Sequence, residues 1–176
     1  MTPRPVCDAL VEALGLRVDK VMEPCCGTGN WIEAYRAYHA PSNIFSADIQ
    51  PKYANTSTGA HFTGDMLALK GLSPSFDLVL GNPPYKQAEA FIEKGMELLR
   101  PSGHLAFLLR VGFLASRGRY PLFQKWKPSR VIVMSGRPSF TGAGSDRYDY
   151  ALIVWPRTRP KVTVLDHIRC PPKQRS

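Results

Sequence analysis

The segment Asn82-Pro83-Pro84-Tyr85 carries residue types suited to chemistry on a planar amine. The asparagine supplies an amide oxygen that accepts hydrogen bonds, and the two prolines hold an extended backbone without N–H donors. The tyrosine supplies a flat ring that can stack on the planar system carrying the amine. The segment follows residues 76–80, an apolar run that predicts a buried strand. We therefore expect this loop at the end of a strand.

A second loop, residues 23–30, closes an earlier apolar strand with the sequence Glu-Pro-Cys-Cys-Gly-Thr-Gly-Asn. Its two glycines let the backbone approach a bound ligand closely. The loop lacks the Gly-Lys-Ser/Thr of a phosphate-binding loop and the third glycine of the dinucleotide fingerprint. Together with the Asn-Pro-Pro-Tyr loop, it predicts a methyl donor facing a planar amine.

Two acids at later strand ends extend the predicted donor site. Asp48 lies 19 residues after Gly29, where a carboxylate would accept hydrogen bonds from ribose hydroxyls. A turn or helix-capping role is the alternative for Asp48. Asp65 follows Gly64 and could accept from an adenine amino group, or could simply form a turn.

The apolar patterns predict an α/β fold, with a Rossmann-like, seven-stranded, mostly parallel sheet and helices on both faces. Strands are predicted at residues 18–22, 44–49, 61–62, 76–80, 105–109, 131–134 and 151–155. Helical spacing covers residues 6–14, 31–38 and 88–99, where Pro101-Ser102-Gly103 would stop the helix, and an interrupted pattern covers 113–126. No helix separates the last two strands, so we expect the last strand to be antiparallel. Ligands of such sheets bind beyond the carboxyl ends of the strands, where both loops lie.

Length and composition indicate one intracellular domain. The 176 residues, 44% hydrophobic and 21% charged, fit one globular domain, and residues 171–176 are expected to be a disordered tail. We expect no contact with a membrane, because there is neither a run of about 20 apolar residues nor a secretory signal. The four cysteines show no C-x-x-C spacing and predict reduced thiols in the cytoplasm, which includes a phage-encoded protein acting in its host. The four histidines lack metal-ligand spacing, so no metal is predicted.

Charge is distributed unevenly between the two halves of the chain. Residues 1–97 carry 8 basic and 11 acidic side chains, a net charge of −3, whereas residues 98–176 carry 15 basic and 3 acidic, a net charge of +12. This asymmetry favours a face that binds a polyanion, most simply a nucleic acid, over a merely solvated cationic surface. Arg117, Arg119 and Arg137 lie in the acid-free stretch 98–145 and are candidate contacts to the nucleic acid.

The order of these motifs resembles the class I S-adenosylmethionine-dependent methyltransferases. The glycine turn, the strand-end acid, Gly-Asp and Asn-Pro-Pro-Tyr follow one another within residues 1–156. More narrowly, the order is similar to that of the DNA adenine-N6 methyltransferases. The resemblance implies S-adenosylmethionine as cofactor and methyl transfer to the N6 amine of an adenine flipped out of DNA. It also implies one methyltransferase catalytic domain over residues 1–176, without a separate target-recognition domain.

The resemblance also implies roles for individual residues. The donor site would be formed by Thr2, Pro3, Glu23, Gly27, Gly29, Asp48, Ile49, Asp65 and Asn82. The catalytic loop would be formed by Asn82, Pro83, Pro84 and Tyr85. In it, Asn82 and the carbonyl of Pro83 would receive the hydrogens of the amine, and Tyr85 would stack on the base. Phe140 resembles the second aromatic residue that sandwiches the base, although a core role is the alternative.

Other acceptors and assemblies remain open at the level of sequence. Asn-Pro-Pro-Tyr also occurs in methyltransferases that act on amino groups of RNA and on glutamine side chains of proteins. The basic second half argues against a small protein target, and we favour DNA over RNA as partner. A non-catalytic nucleic-acid-binding module with the same fold is a further alternative. Sequence recognition would fall to residues 111–127 and 135–147, to a separate specificity subunit, or to a homodimer.

Overall fold

A computed structural model describes residues 1–41, 43–53, 61–140 and 144–172. The described helices are α1 (Arg4–Leu14), α2 (Asn30–Tyr38), α3 (Ala88–Leu98) and α4 (Tyr120–Lys125). The described strands are β1 (Lys20–Glu23), β2 (Asn43–Asp48), β3 (Phe62–Thr63), β4 (Phe76–Gly81), β5 (Leu99–Arg110), β6 (Arg130–Ser135), β7 (Tyr150–Pro156) and β8 (Val164–Arg169). None of the described helices has the length and apolar character needed to cross a membrane.

The strands form one mixed sheet in the order β3-β2-β1-β4-β5-β7-β6-β8. β7 pairs antiparallel with both β5 and β6, and the other neighbouring pairs are parallel. This confirms the predicted α/β class and the antiparallel pairing of the strands at 131–134 and 151–155. The predicted strands agree with β1, β2, β3, β4, β6 and β7 to within about two residues, the usual uncertainty of strand ends.

The predicted number of strands was wrong, because β8 adds an eighth strand at the edge of the sheet. β8 pairs parallel with β6, from Arg130 opposite Val164 to Ser135 opposite Arg169. Its side chains are exposed or only half-buried along its whole length. An edge strand of this kind lacks the continuous apolar run by which the inner strands were predicted.

The boundary between α3 and β5 also differs from the prediction. Pro101-Ser102-Gly103 was expected to lie between helix and strand, but β5 begins at Leu99, directly after α3. The register changes there, from Phe76 opposite Leu99 to Leu78 opposite His104. An irregularity of this kind accommodates extra residues within a strand. A Cβ at Gly103 would lie 3.0 Å from the carbonyl oxygen of Phe76, so a larger residue would push the neighbouring strand away by a few tenths of an ångström.

The predicted interrupted helix at 113–126 consists of two short 3-10 turns, Val111–Ala115 and Arg117–Arg119, followed by α4. These elements, with α3, cover one face of the sheet, whereas α1 and α2 cover the other. Successive side chains of a strand point to opposite faces, so β4 contributes Val79 to one core and Leu78 and Leu80 to the other. The centre of the sheet is therefore buried on both sides and holds the strand ends in fixed positions.

Candidate active site

The two loops predicted to carry the chemistry meet at one edge of the sheet. β1 and β4 are parallel neighbours, and their carboxyl ends are Glu23 and Gly81. Gly81 has φ +153°, and a Cβ there would lie 3.4 Å from Cγ of Glu23. A glycine is therefore needed immediately before Asn82 to bring the Asn-Pro-Pro-Tyr loop against the glycine turn.

Two connected clefts lie between these loops. A narrow cleft of about 50 Å³ is lined by Thr2, Glu23, Gly27 and Asn82, among others. A wider cleft of about 400 Å³ is lined by Met1, Cys25, Gly27, Asp48, Gln50, Tyr53, Asn82, Pro83, Pro84, Tyr85, Arg110, Phe140, Asp146 and Tyr150. The structure thus brings much of the predicted donor site together with the whole predicted catalytic loop.

The glycine turn is held in place by Asp48. Gly27 and Gly29 have φ +52° and +84°, a conformation that glycine adopts without strain. Oδ2 of Asp48 accepts a hydrogen bond from the Gly27 N–H at 2.9 Å, and Oδ1 accepts one from the Gln50 N–H at 2.9 Å. Each carboxylate oxygen retains a second lone pair, so these bonds are compatible with the predicted role toward a ribose. That role remains a prediction.

The side chain of Met1 lies over the glycine turn. The N–H of Thr28 donates to Sδ of Met1 at 3.3 Å, and a Cβ on Gly27 would lie 2.5 Å from the same sulfur atom. Met1 is 57% exposed, so its long side chain can leave this position at little cost in packing. A thioether of this protein therefore covers the surface that the two glycines leave open.

Glu23 is a buried carboxylate without a well-formed hydrogen bond from the described residues, and a weak interaction with the backbone N–H of Ile32 lowers its pKa only in part. It is 1% exposed, and neither Oε1 nor Oε2 has a partner among the described residues. Burial raises the pKa of its carboxyl group well above the ordinary value, and the charge of Asp48 raises the pKa further. A ligand that brings a positively charged hydrogen-bond donor would satisfy this group.

Thr2 fixes the orientation of the Asn82 amide. Nδ2 of Asn82 donates to Oγ1 of Thr2 at 3.0 Å, and the indole Nε1 of Trp31 donates to the same oxygen at 3.3 Å. Asn30 donates through Nδ2 to the carbonyl oxygen of Thr2 at 2.8 Å. Oδ1 of Asn82 is buried and has no hydrogen-bond partner among the described residues. The amide therefore keeps its strongest acceptor available.

Aromatic rings form one wall of the wider cleft. The centroids of Tyr85 and Tyr150 are 5.8 Å apart, and those of Phe140 and Tyr150 are 5.0 Å apart in an edge-on arrangement. Tyr150 is buried, whereas Tyr85 and Phe140 are half-buried. The pKa of the Tyr85 hydroxyl is raised, mainly by burial, so the side chain stays neutral near pH 7.

Some predicted site residues lie outside these two clefts. Ile49 is 65% exposed and Asp65 is exposed, with its Oδ1 accepting from the Leu67 N–H at 2.9 Å. The hydrogen bond of Asp65 has the geometry of the turn that was its alternative reading. Pro3 precedes α1 and lines a neighbouring cavity of about 320 Å³, together with Arg137 and Phe140. Arg117 is exposed.

Acids from other elements partner many cations of the acid-free stretch. Ion pairs join Arg100 to Asp77, Arg119 to Glu89, Lys125 to Glu93, Arg130 to Asp166 and Arg137 to Asp149. Two of these acids, Glu89 and Glu93, belong to α3 and lie 30 and 32 residues before the cations that they pair with. The cationic surface is therefore smaller than the charge count of the second half indicates.

The sequence analysis missed Arg110 and Tyr150, which stand opposite each other on β5 and β7. Arg110 directly follows the predicted strand 105–109 and was not distinguished from the other cations of the acid-free stretch. Because β7 is antiparallel, its amino end reaches the same edge of the sheet and brings Tyr150 there. The predicted reversal of the last strand was the signal that could have identified this tyrosine.

The cysteines near the turn are unsuited to nucleophilic catalysis. Burial raises the pKa of the Cys25 thiol strongly and that of the Cys26 thiol to about 12. Negative charges on Asp48 and Glu23 add to both effects. Both thiols therefore stay protonated near pH 7, whereas a nucleophile requires the thiolate.

Comparisons with known proteins concern the fold and part of the sequence. No protein-family model matches the chain. The chain is 33% identical over 89 residues to the type II methyltransferase M.CvrRI of Paramecium bursaria Chlorella virus XZ-6E. This match covers 48% of the chain and 23% of that relative, so the chain spans about a quarter of the length of this curated relative.

Two solved structures share the fold over nearly the whole chain. One is a protein of Listeria monocytogenes assigned to the class I S-adenosylmethionine-dependent methyltransferases, with a TM-score of 0.71, 15% identity and coverage of 96% of this chain and 65% of its own. The other is a modification subunit assigned to a type I restriction enzyme of Vibrio vulnificus YJ016, with a TM-score of 0.72, 18% identity and coverage of 99% and 48%. The chain therefore has the fold of the class I S-adenosylmethionine-dependent methyltransferases, and its sequence resembles a type II methyltransferase over about half its length.

Proposed function

We propose that this protein transfers a methyl group from S-adenosylmethionine to the exocyclic N6 amine of adenine in DNA. The observation that carries the proposal is the buried Oδ1 of Asn82, which has no hydrogen-bond partner among the described residues and lies in a cleft shared with Gly27 and Glu23. A buried acceptor without a partner is costly in a folded protein and indicates a missing donor. The hydrogens of an amine are such a donor.

The residues around the glycine turn fit the methyl donor. The methionine part of S-adenosylmethionine carries an ammonium group, which is the kind of donor that the buried Glu23 carboxylate lacks. Positive φ angles at Gly27 and Gly29 leave the turn without side chains, and only the exposed side chain of Met1 covers Gly27 there. When bound, S-adenosylmethionine supplies an electrophilic methyl group on a sulfonium. We infer that the Met1 side chain moves aside when S-adenosylmethionine binds.

The protein contributes by positioning the amine. An exocyclic amine is a weak nucleophile because its lone pair is delocalised into the ring. If Oδ1 of Asn82 and the carbonyl oxygen of Pro83 accept its two hydrogens, the nitrogen approaches tetrahedral geometry and its lone pair becomes available. The nitrogen becomes acidic once methylated, so no strong base is needed beforehand. Most of the rate enhancement would then come from holding the reactants at attack distance.

The aromatic wall is suited to holding an extracted base. An adenine within a duplex cannot reach such a cleft, so it must rotate out of the helix at a cost of a few kcal/mol. Stacking on the neutral ring of Tyr85, with Phe140 on the same aromatic wall, would offset this cost. A type II methyltransferase is similar in sequence over about half of the chain, which favours DNA over RNA. A specificity subunit or a homodimer would supply the remaining contacts to the recognition sequence.

Asn82→Ala tests the mechanism. We expect the rate of methyl transfer to fall at least about 100-fold, because the amine loses its orienting acceptor. Affinity for S-adenosylhomocysteine, measured by calorimetry, should change little. Gln124→Ala removes an amide from the exposed surface of α4 and serves as the control with wild-type activity. Transfer retained by Asn82→Ala would refute the proposed role of this residue.

The acceptor is tested with labelled S-adenosylmethionine and separate pools of DNA, RNA and protein. After digestion, we expect the label in N6-methyladenine from DNA. Label in an RNA nucleoside would support methyl transfer to an amine but identify RNA, and not DNA, as the acceptor. Label in methylglutamine would refute a nucleic-acid acceptor.

A further inference from the structure

A second cleft opens beside the candidate active site and has a cationic lining. It has a volume of about 540 Å³, and its charged and aromatic lining is Tyr85, Lys86, Arg110, Phe113, Arg119, Arg147, Tyr148 and Asp149. Tyr85 and Arg110 also line the active-site cleft. The two clefts therefore share a wall, and a chain-like ligand could occupy both.

Three cations of this second cleft have no carboxylate partner among the described residues. Arg119 is paired with Glu89 at 2.9 Å, and the one acid of the cleft, Asp149, is paired with Arg137 at 2.9 Å. Lys86, Arg110 and Arg147 form no such ion pair within the described part of the chain. The described residues of the cleft thus carry a surplus of positive charge.

Arg110 lies where the two clefts meet. Its Cζ is 4.8 Å from the ring centroid of Tyr85 and 3.6 Å from that of Tyr148, so the guanidinium stacks on both rings. Its Nε is buried and has no acceptor among the described residues. Stacking fixes the plane of the guanidinium while its N–H groups remain donors, which is the arrangement suited to phosphate oxygens.

We propose that this cleft binds a phosphodiester of the nucleic-acid strand next to the nucleotide whose base enters the active-site cleft. The proposal rests on the proposed function, because it requires a base stacked on Tyr85. The sugar-phosphate chain of such a nucleotide must leave the active-site cleft, and the shared wall of Tyr85 and Arg110 leads into the cationic cleft. Lys86 and Arg147 are exposed and free to follow a phosphate, whereas Arg110 is held in place.

The test uses the double variant Lys86→Ala/Arg147→Ala in the full chain. Binding of random-sequence duplex DNA, single-stranded DNA and RNA is measured against salt concentration. Each lost phosphate contact reduces the slope of log K against log salt by about 0.9 on duplex DNA. We expect a reduction of about 1 to 2, a several-fold higher KM for the nucleic acid, and nearly unchanged kcat and affinity for S-adenosylhomocysteine.

Two matched variants control for charge and folding. Arg36→Ala/Lys70→Ala removes the same two charges from exposed positions that do not line this cleft, and it should keep the wild-type salt slope. Lys86→Arg/Arg147→Lys keeps both charges in place and should restore binding. Thermal unfolding shows whether each variant is folded.

The outcomes separate this proposal from the proposed function. Suppose that the wild-type protein methylates a nucleic acid, and that Lys86→Ala/Arg147→Ala has the same slope of log K against log salt as Arg36→Ala/Lys70→Ala. The phosphate site is then refuted and the proposed function stands. If wild-type protein binds S-adenosylhomocysteine but neither DNA nor RNA, both are refuted. A slope reduced on single strands and duplexes alike identifies the phosphodiester as the ligand, and comparison of DNA with RNA identifies its source.

Discussion

Thr2 links the start of the chain to the residue that we propose as the catalyst. The residue is 3% exposed, and its hydroxyl oxygen accepts hydrogen bonds from both Asn82 and Trp31. An indole N–H can only donate, so Oγ1 of Thr2 must act as an acceptor toward it. Oγ1 keeps a second lone pair, which accepts from Nδ2 of Asn82 in the observed orientation of the amide.

Thr2→Val tests this positioning role. Valine has nearly the shape of threonine but accepts no hydrogen bond, so the amide of Asn82 loses its fixed orientation. We expect kcat to fall about 10- to 100-fold, with a smaller change in the affinity for S-adenosylhomocysteine. Thr2→Ser keeps the acceptor and should restore most of kcat. Equal activity of the Val and Ser variants would contradict the prediction.

For single residues, the sequence indicated which side chains could do chemistry, but not which residues they contact in the fold. Asn82 and the two glycines became site candidates because each has a type and position typical of one chemistry, and Glu23 became one through the family resemblance. The contact between Thr2 and Asn82 joins residues 80 positions apart, and no local pattern encodes it. The stacked Arg110 was missed for the same reason, because its rings come from two other segments.

Among the secondary-structure elements, α3 shows how packing overrides helix propensity. Gly95 lies in the middle of this helix, where an alanine would ordinarily stabilise by about 1 kcal/mol. A Cβ at this position would, however, lie 2.6 Å from Cδ1 of the fully buried Leu105. The close approach of α3 to β5 therefore depends on the missing side chain.

Gly95→Ala is expected to lower the free energy of unfolding by about 1 kcal/mol, since overpacking costs about 1–3 kcal/mol and exceeds the gain in propensity. Denaturant unfolding measures the change. In a Leu105→Ala background the clash is absent, so the same substitution should be neutral or stabilising. A stabilising effect in the wild-type background would show that Leu105 can move aside.

The inner elements could be predicted from sequence because burial on both faces leaves continuous apolar runs. β4, β6 and β7 were predicted in this way, as were α1 and α2 from helical spacing. β8 and the first residues of β5 could not be, because one is an exposed edge and the other contains Pro101 and Gly103. Tertiary pairing, rather than local preference, makes these residues extended.

For the whole molecule, the buried carboxylate of Glu23 couples stability to pH. Its pKa in the folded state is raised above the ordinary value of 4.5, first by burial and then by Asp48. Above pH 4.5 the unfolded chain loses this proton before the folded protein does. The free energy of unfolding therefore falls as pH rises from 4.5 toward the raised pKa, and the loss is constant above it.

Glu23→Gln removes this dependence. We expect the variant to be more stable than the wild type at pH 7 and equally stable below pH 4.5, because both side chains are then uncharged. Thermal unfolding of the two proteins over a pH series gives the difference directly. A difference in Tm that does not vary with pH would contradict the prediction. The same variant should bind S-adenosylhomocysteine more weakly, because it cannot pair with an ammonium group.

The antiparallel strand β7 has a consequence for how the protein could diversify. It delivers Tyr150, and the connection that carries Phe140, to the edge of the sheet where β1 and β4 deliver Glu23 and Asn82. Under the proposed function, one part of the wall that holds the acceptor is thereby encoded far along the chain from the glycine turn, whereas Asn82 and Tyr85 stay on the loop after β4. A transplanted β6–β7 connection would be expected to change the KM for the acceptor while leaving the dissociation constant for S-adenosylhomocysteine untouched.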